Sequence, residues 1–178
     1  MCSSDLNLMN EWGSHNITAQ HFATAYNQAL QQLRTIYKGP VVIDLPGYGQ
    51  EPQVAATAVS GIADRNIILS MHVYPEASND QKKRGIATTD LDELAATGLG
   101  CMIGEFGDSG KKQKTKWQDI VAYAKQIGWP VFGWAWNGDG TKTPDGKGMN
   151  MIEPQYGKLP AGQQYAQTGY FNTIYNLL

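Results

Sequence analysis

The chain has 178 residues and a net charge of −2, a length that suits one well-cored domain and excludes two ordinary ones. Hydrophobic residues make up 42% and charged residues 17% of it, a balance typical of a globular protein and not of a disordered one. The small net charge favours neither nucleic acid nor an anionic membrane as a partner. No stretch approaches the roughly 20 apolar residues that a membrane span needs.

The first six residues, 1–6, are predicted to be a non-native tail, so that one domain spans 7–178. Their letters match the translation of a short sequencing adapter. An ordinary polar tail is the alternative, and a longer gene copy that reads Met1 to Leu6 in frame would decide for it. The two cysteines predict no disulfide framework, because Cys2 lies at this end and Cys101 lies in an apolar stretch as a small core residue.

The rest of the chain alternates short apolar runs with longer helix-like segments. The apolar runs predict strands at 6–9, 41–43, 67–71, 101–103 and 131–136. Helical spacing predicts helices at 18–37 with Thr18 as N-cap, at 53–63, at 91–97 capped by Asp90, at 114–127, and after Gly162 from Tyr165 to Leu177. The strand centres lie about 27 to 34 residues apart, as in βαβ units. The fold class is therefore α/β with buried parallel strands, either a barrel or an open doubly wound sheet.

Polar and aromatic side chains follow the predicted strands, at the edge where parallel α/β proteins bind ligands. In chain order they are Asn10, Glu11, Trp12, Asp44, Tyr48, Gln50, His72, Tyr74, Glu105, Trp134 and Trp136. The strand interiors are apolar. The pattern predicts one site at this edge.

Glu11 and Glu105 are the candidate catalytic pair. Each could instead point into solvent at a strand exit, but two glutamates at equivalent strand ends favour a shared site. Carboxylates about 5 to 5.5 Å apart are what retaining glycoside hydrolysis requires. One would be protonated to assist the leaving group and the other ionised to attack the anomeric carbon. We expect their mutual repulsion and partial burial to separate their pKa values.

His72 and Tyr74 are two residues apart on one predicted strand, so their side chains leave the same face. A neutral histidine and a tyrosine hydroxyl could orient the nucleophile and bind sugar hydroxyls. For His72 alone, a satisfied core histidine is the alternative. Its place beside Tyr74 at the strand mouth favours a substrate-binding role for both.

The tryptophans at the last predicted strand are candidates for sugar stacking. Trp134 and Trp136 share a face, and an indole ring makes a flat floor for a sugar; plain core packing is the alternative, and one of the two could be only that. Trp12 and Tyr48 are weaker substrate-binding candidates. Trp117 is predicted to be helix core.

Other chemistries have little support. There is no dinucleotide fingerprint and no phosphate loop. His15 and His21 fit no metal-ligand spacing. Asp139 and Asp145 could hold a cation, but they are interpreted as residues of a turn-rich surface loop. Neither a metal nor a cofactor is therefore predicted. Two short basic runs are interpreted as solvated faces: 82–84 and 111–116.

Five segments carry a resemblance to a known family. They are Asn10-Glu11-Trp12-Gly13, Asp44-Leu45-Pro46-Gly47-Tyr48-Gly49-Gln50, Ser70-Met71-His72-Val73-Tyr74, Ile103-Gly104-Glu105-Phe106-Gly107 and Gly133-Trp134-Ala135-Trp136-Asn137. Together they resemble glycoside hydrolase family 5, most of all its bacterial β-mannanase branch. The resemblance covers nearly the whole chain after residue 6, with the motifs in the family's order and spacing.

The resemblance implies a (β/α)8 TIM barrel, represented here by about strands 4–8 and their helices. It implies Glu11 as general acid/base, Asn10 as its neighbour that contacts the sugar 2-hydroxyl, and Glu105 as nucleophile. It implies a stacking platform at Trp136, or at Trp134, after the eighth strand. The family hydrolyses β-1,4-linked polysaccharides without a cofactor, usually outside the cell.

The chain departs from the family pattern at its start. The family's first three strands and most of the fourth are absent, together with an arginine and a histidine near the nucleophile. We expect an open sheet edge to expose unpaired backbone and apolar surface. The chain alone is therefore predicted to fold poorly, aggregate or pair with itself, and to have little activity.

Two other functions stay open at this point. One is a non-catalytic carbohydrate-binding derivative of the barrel, against which the retention of both glutamates argues. The other is an unrelated open-sheet enzyme, which the lack of nucleotide or phosphate motifs disfavours. Mannan, glucomannan and cellulose differ at one hydroxyl, and the sequence does not choose between them.

Overall fold

A computed structural model describes residues 6–141, 143 and 148–178. Its strands, in chain order, are β1 (Leu6–Asn7), β2 (Val41–Asp44), β3 (Ile67–Val73), β4 (Ser78–Asn79), β5 (Arg84–Gly85), β6 (Gly100–Phe106), β7 (Val131–Gly133), β8 (Ile152–Glu153) and β9 (Ala166–Gln167). Five of them form one parallel sheet in the order β1-β2-β3-β6-β7, and the other four form two antiparallel pairs, β4-β5 and β8-β9. The parallel sheet confirms the predicted fold class.

Helices connect the parallel strands, and one more helix follows the last of them. They are α1 (Ala19–Leu33), the short segment α2 (Pro46–Gly49), α3 (Pro52–Ala58) continued by a 3₁₀ turn (Val59–Gly61), α4 (Thr88–Ala95), α5 (Trp117–Gln126) and α6 (Gly169–Tyr175). The N-cap prediction at Thr18 is confirmed, because its hydroxyl accepts a hydrogen bond from the His21 N–H at 3.2 Å. The prediction for Asp90 is wrong: α4 begins earlier, and the Asp90 carboxylate accepts the Ala87 N–H at 2.9 Å from within the first turn.

Two elements end earlier than predicted. α1 stops at Leu33 instead of residue 37, and the Arg34 guanidinium then bonds the carbonyls of Tyr37 and Gly39. β7 stops at Gly133 instead of residue 136. Beyond it the chain leaves the sheet, and Ala135 exchanges backbone hydrogen bonds with 149–151 at 2.8 and 3.0 Å.

The main core lies between the sheet and helices α3 to α6. Trp117 is 2% exposed and stacks on Phe106 with ring centroids 6.2 Å apart, which confirms it as helix core. Cys101 is also buried, as predicted. A second cluster packs α1 against β2 and holds Phe22 and Tyr26.

The other face and the edges of the parallel sheet are less covered. Within the described residues, β1 and β7 have no strand on their outer sides. Phe132 of β7 is 53% exposed on this less covered part of the sheet. Leu6 pairs with Val41, and the rest of the predicted N-terminal tail lies outside the described residues. None of the helices in the described part of the chain has the length and apolar character needed to cross a bilayer.

Candidate active site

Asp44, at the end of β2, forms hydrogen bonds to the segment that carries Glu11. Its carboxylate is fully buried and accepts the Glu11 backbone N–H at 2.9 Å and the Asn7 amide at 3.0 Å. Burial would raise the pKa of Asp44, but hydrogen bonds from His72, Glu11 and Asn7 outweigh it and hold that pKa below its usual range. Asp44 therefore holds the backbone of Glu11, which has a left-handed φ of 53°.

His72 lies at the centre of three carboxylates. Its Nδ1 is 3.0 Å from Glu11 Oε1 and 3.4 Å from Glu105 Oε2, and its Nε2 is 3.3 Å from Asp44 Oδ1. Burial alone would lower the pKa of His72, but the hydrogen bonds to Asp44 and Glu11 raise it to about 9. His72 is therefore an imidazolium at neutral pH, which differs from the neutral histidine expected from the sequence.

Glu11 and Glu105 converge on this imidazolium from two strand ends. Their ligand oxygens and the His72 nitrogen all lie within 4.8 Å of one another. Tyr74 donates its hydroxyl hydrogen to Glu105 Oε2 at 2.7 Å. Burial raises the pKa of Glu105, the charges of Glu11 and Asp44 act in the same direction, and His72 and Tyr74 oppose them. The two carboxyl groups are therefore close enough to contact the same small chemical group of a bound molecule.

A cleft of about 590 Å³ opens above the two glutamates. Its walls include five of the residues predicted for substrate binding or catalysis besides Glu11: Asn10, Tyr48, Tyr74, Glu105 and Trp134. Trp136 is not among the lining residues and instead contacts Phe171 edge-on at 6.5 Å. Trp12 is also absent from the lining, and it packs against Phe22 at 6.1 Å in the α1 cluster.

The comparison with protein families identifies the fold that carries this cleft. A family model described as Cellulase (glycosyl hydrolase family 5) matches residues 6–140. The chain belongs to glycosyl hydrolase family 5. Its five-stranded sheet and helices are part of the (β/α)8 barrel of that family, so the barrel expectation is confirmed over the open-sheet alternative.

Relatives within family 5 include mannanases. The chain is 30% identical to a mannan endo-1,4-beta-mannosidase of Streptomyces lividans over 76% of this chain and 36% of that protein. It is 27% identical to a beta-mannanase/endoglucanase A of Caldicellulosiruptor saccharolyticus, over 90% of this chain and 12% of that one. A solved β-mannanase from Thermomonospora fusca superposes with a TM-score of 0.65 at 25% identity, over 97% of this chain and 55% of that chain. The chain thus spans about a third of the length of the Streptomyces relative.

Tyr48 reaches the cleft of this family 5 chain through an unusual turn. Gly47, Tyr48 and Gly49 follow β2 with φ values of 65°, 60° and 82°. A side chain at Gly49 would meet His72, since a Cβ there would lie 2.8 Å from the His72 Cβ. The turn leaves the Tyr48 ring 52% exposed at the cleft wall. Backbone of this kind persists where the surroundings fix it, and it is enriched at functional sites.

Several residues of the cleft were not predicted from the sequence. Asp139, interpreted as a turn residue, is 7% exposed, lines the cleft and accepts the Trp134 indole N–H at 3.1 Å. Glu76 accepts hydrogen bonds from Lys111 at 2.8 Å and from the Ser109 hydroxyl at 2.5 Å. The one sequence signal for Asp139 is its position five residues after the candidate tryptophan Trp134. Asp145 lies outside the described residues.

Most lysines of the two basic runs are exposed, as predicted for solvated faces, but three of the cations in these runs also form ion pairs. Lys82 and Arg84 both pair with the fully buried Asp90, at 3.0 and 2.7 Å. Lys111 pairs with Glu76 across the cleft wall. The Lys111–Glu76 pair joins the connections after β3 and β6 at one side of the cleft, whereas Lys82, Arg84 and Asp90 are not among the lining residues.

Two clusters among the described residues have the composition of a metal site: Glu11 with His72 and Glu105, and His15 with Glu51 and Asp80. In the second, His15 Nδ1 lies 2.6 Å from Glu51 Oε1, a hydrogen-bonding distance. Glu51 is fully buried and also accepts the Asp80 backbone N–H at 2.9 Å. The second cluster therefore joins three segments of chain by hydrogen bonds.

Proposed function

We propose that this site belongs to a retaining endo-β-1,4-glycanase that hydrolyses plant polysaccharide by double displacement. The observation that carries the proposal is the convergence of Glu11 and Glu105 on His72, with their nearest ligand oxygens no more than 4.8 Å apart. Inverting hydrolysis needs carboxyl groups separated by about 6.5–9.5 Å to admit a water molecule, and retaining hydrolysis about 5–5.5 Å. The short separation favours the retaining route.

In the first step, Glu105 is the nucleophile. Its carboxylate oxygen bonds to the anomeric carbon while the glycosidic C–O bond breaks, and Glu11 gives its proton to the departing oxygen. The hydrogen bond from Tyr74 occupies Glu105 Oε2 and so leaves the other oxygen for attack. The imidazolium of His72 stabilises the ionised form of Glu105, which burial disfavours.

In the second step, water attacks the anomeric carbon of the glycosyl ester. Glu11 takes the proton from this water, the ester bond to Glu105 breaks, and both carboxyl groups return to their starting states. Two inversions at the anomeric carbon give net retention. Asn10 and Tyr48 line the cleft as further contacts for sugar hydroxyls and rings, and Trp134 supplies the stacking floor beside Glu105.

β-Mannan is the first proposed substrate and cellulose or another β-glucan the second. Mannanases recur among the relatives, and the Caldicellulosiruptor protein is named for both activities. Polymers of this kind do not enter cells intact, so the proposed place of action is outside the cell. The 178-residue chain alone is proposed to have little activity, since its sheet is only part of a barrel.

The test uses the chain itself and a completed barrel, in which residues 7–178 follow the N-terminal half of the Thermomonospora mannanase. Release of reducing ends from galactomannan and from carboxymethylcellulose is measured for both. We expect activity in the completed barrel, with galactomannan the better substrate, and little in the chain alone. Full activity of the chain alone would contradict the last expectation.

Two variants separate the roles of the acids. With an aryl mannoside that has a good leaving group, Glu11→Ala should still form the glycosyl ester, because protonation of the leaving group is no longer needed. Glu105→Ala should be inactive on every substrate. The matched control is Glu93→Gln, which removes a carboxylate that pairs with Lys82 away from the cleft. Wild-type activity in Glu105→Ala would refute the assignment of the nucleophile.

A further inference from the structure

The orientation of Trp134 depends on contacts that the catalytic scheme does not use. Its ring is 39% exposed, lies beside Glu105 in the cleft lining, and has no packing partner among the aromatic rings of the described residues. A half-exposed indole without such packing would turn about its side-chain bonds. For the Trp134 ring to stack on a sugar, other contacts must therefore fix the orientation of the indole.

Two hydrogen bonds hold Trp134 at opposite ends. Its indole N–H donates to Asp139 Oδ1 at 3.1 Å. Its backbone carbonyl accepts the Tyr170 hydroxyl at 2.8 Å, and the same hydroxyl accepts the Asp108 N–H at 3.0 Å from the connection after β6. Tyr170 thus fixes where the residue sits, and Asp139 fixes where the ring points.

Asp139 is itself held in place. Its Oδ2 accepts the backbone N–H groups of Thr141 at 3.0 Å and Met149 at 2.8 Å, and its Oδ1 also accepts the Thr141 hydroxyl at 2.9 Å. Its own backbone N–H donates to the side chain of Asn150 at 2.8 Å. Burial would raise the pKa of Asp139, but the donors at Met149, Trp134 and Thr141 outweigh it and hold that pKa low. The carboxylate is therefore charged and ordered before any ligand arrives.

We propose that Asp139 is a positioning residue that fixes Trp134 as the sugar-stacking floor of the cleft. The neighbouring Trp136 gives the contrast: its indole nitrogen has no hydrogen-bond partner in the described residues, and its ring lies against Phe171 outside the cleft. The proposal rests on the proposed function, because it assumes that a sugar ring binds there. It adds which of the two tryptophans binds the ring and what holds it ready.

The experiment is heteronuclear NMR on the indole N–H groups of the whole chain, which has five tryptophans. The Trp134 signal is assigned by its loss in Trp134→Phe. In the wild type, we expect the Trp134 indole hydrogen to exchange with D₂O more slowly than that of Trp136. Equal exchange of the two would overturn the proposal without any variant.

Asp139→Ala should move the Trp134 signal and weaken the binding of mannohexaose about three- to tenfold. This is the expected cost when the Trp134 side chain has to become ordered as the ligand binds. Asp139→Asn, which keeps one acceptor oxygen, serves where the alanine variant does not fold and should show the same changes to a smaller extent. The matched control is Asp90→Asn, which removes another buried carboxylate away from the cleft. It should lower stability but leave the Trp134 signal and the binding unchanged.

The outcomes separate this inference from the function on which it rests. If mannohexaose moves the Trp134 signal and neither Asp139 variant changes the affinity, the positioning role is refuted and the proposed function stands. If mannohexaose and cellohexaose move no indole signal, the proposed function loses support. In that case the exchange rates and the Asp139→Ala shift still decide whether Asp139 holds the ring.

Discussion

Raising the pH should destabilise the fold through one side chain, His72. The buried imidazolium lies within 3.4 Å of oxygens from Glu11, Glu105 and Asp44. Its pKa is about 9 in the folded protein against 6.5 for an unperturbed histidine. A folded pKa above the unfolded one means that folding favours the protonated form, so the stabilisation is complete below pH 6.5 and is lost as the pH rises through 9.

The size of the effect follows from the two pKa values. Each unit by which they differ corresponds to about 1.4 kcal/mol. The protonated His72 therefore contributes roughly 3 kcal/mol to the free energy of unfolding at pH 6. That is a large share of the about 5–15 kcal/mol by which a typical domain is stable.

The assay is urea unfolding of the chain, followed by tryptophan fluorescence between pH 6 and pH 10. The wild type should lose about 3 kcal/mol across this range, and His72→Gln should lose much less because it carries no titrating group there. His21→Gln is the matched control, since His21 is an exposed histidine on α1, and it should keep the wild-type slope. Equal slopes in the wild type and His72→Gln would refute the reasoning, as would an NMR titration of His72 with a midpoint near pH 6.5.

Three further predictions concern packing, association and capping. Trp117→Ala removes a fully packed ring from the main core and should lower the free energy of unfolding by about 3–5 kcal/mol in urea; a loss under about 1 kcal/mol would contradict the core assignment. Phe132→Lys places a charge on the exposed sheet face and should reduce self-association in sedimentation velocity, whereas Ile36→Lys, at an exposed site after α1, should not. Thr18→Ala should cost about 1 kcal/mol of stability, and Thr18→Ser should restore most of it; no difference between the two would count against the cap.

The sequence predicted the strands better than the ends of elements. Continuous β-branched runs such as Val41-Val42-Ile43 are typical of strands buried on both faces, and this run does form the buried strand β2. The end of α1 depended on Arg34, whose side chain bonds carbonyls three and five residues ahead. The end of β7 depended on pairing between Ala135 and a segment about 15 residues later, which no local pattern announces.

The same limit applies to the site. Strand-end position was enough to predict that Glu11, His72, Tyr74 and Glu105 come together, since parallel strands end at one edge. It was not enough to separate Trp134 from Trp136, because both leave the strand on one side and only the later course of the chain takes one of them out of the cleft. Trp12 is a strand-end aromatic whose ring packs against α1, a contact that strand-end position alone did not predict.

Because of the left-handed turn before Gln50, the side chain at position 48 can be changed without a change in the backbone of the cleft wall. Its backbone course is set by the two flanking glycines, one of which lies against His72, and not by the tyrosine ring itself. Exchange of that ring for another aromatic, or for asparagine, which tolerates a positive φ, should therefore leave Glu11, His72 and Glu105 in place. Valine or isoleucine would not fit this backbone. If the proposed function holds, preference for longer or shorter oligosaccharides would diverge between related chains through a single codon, without any rearrangement of the acids below it.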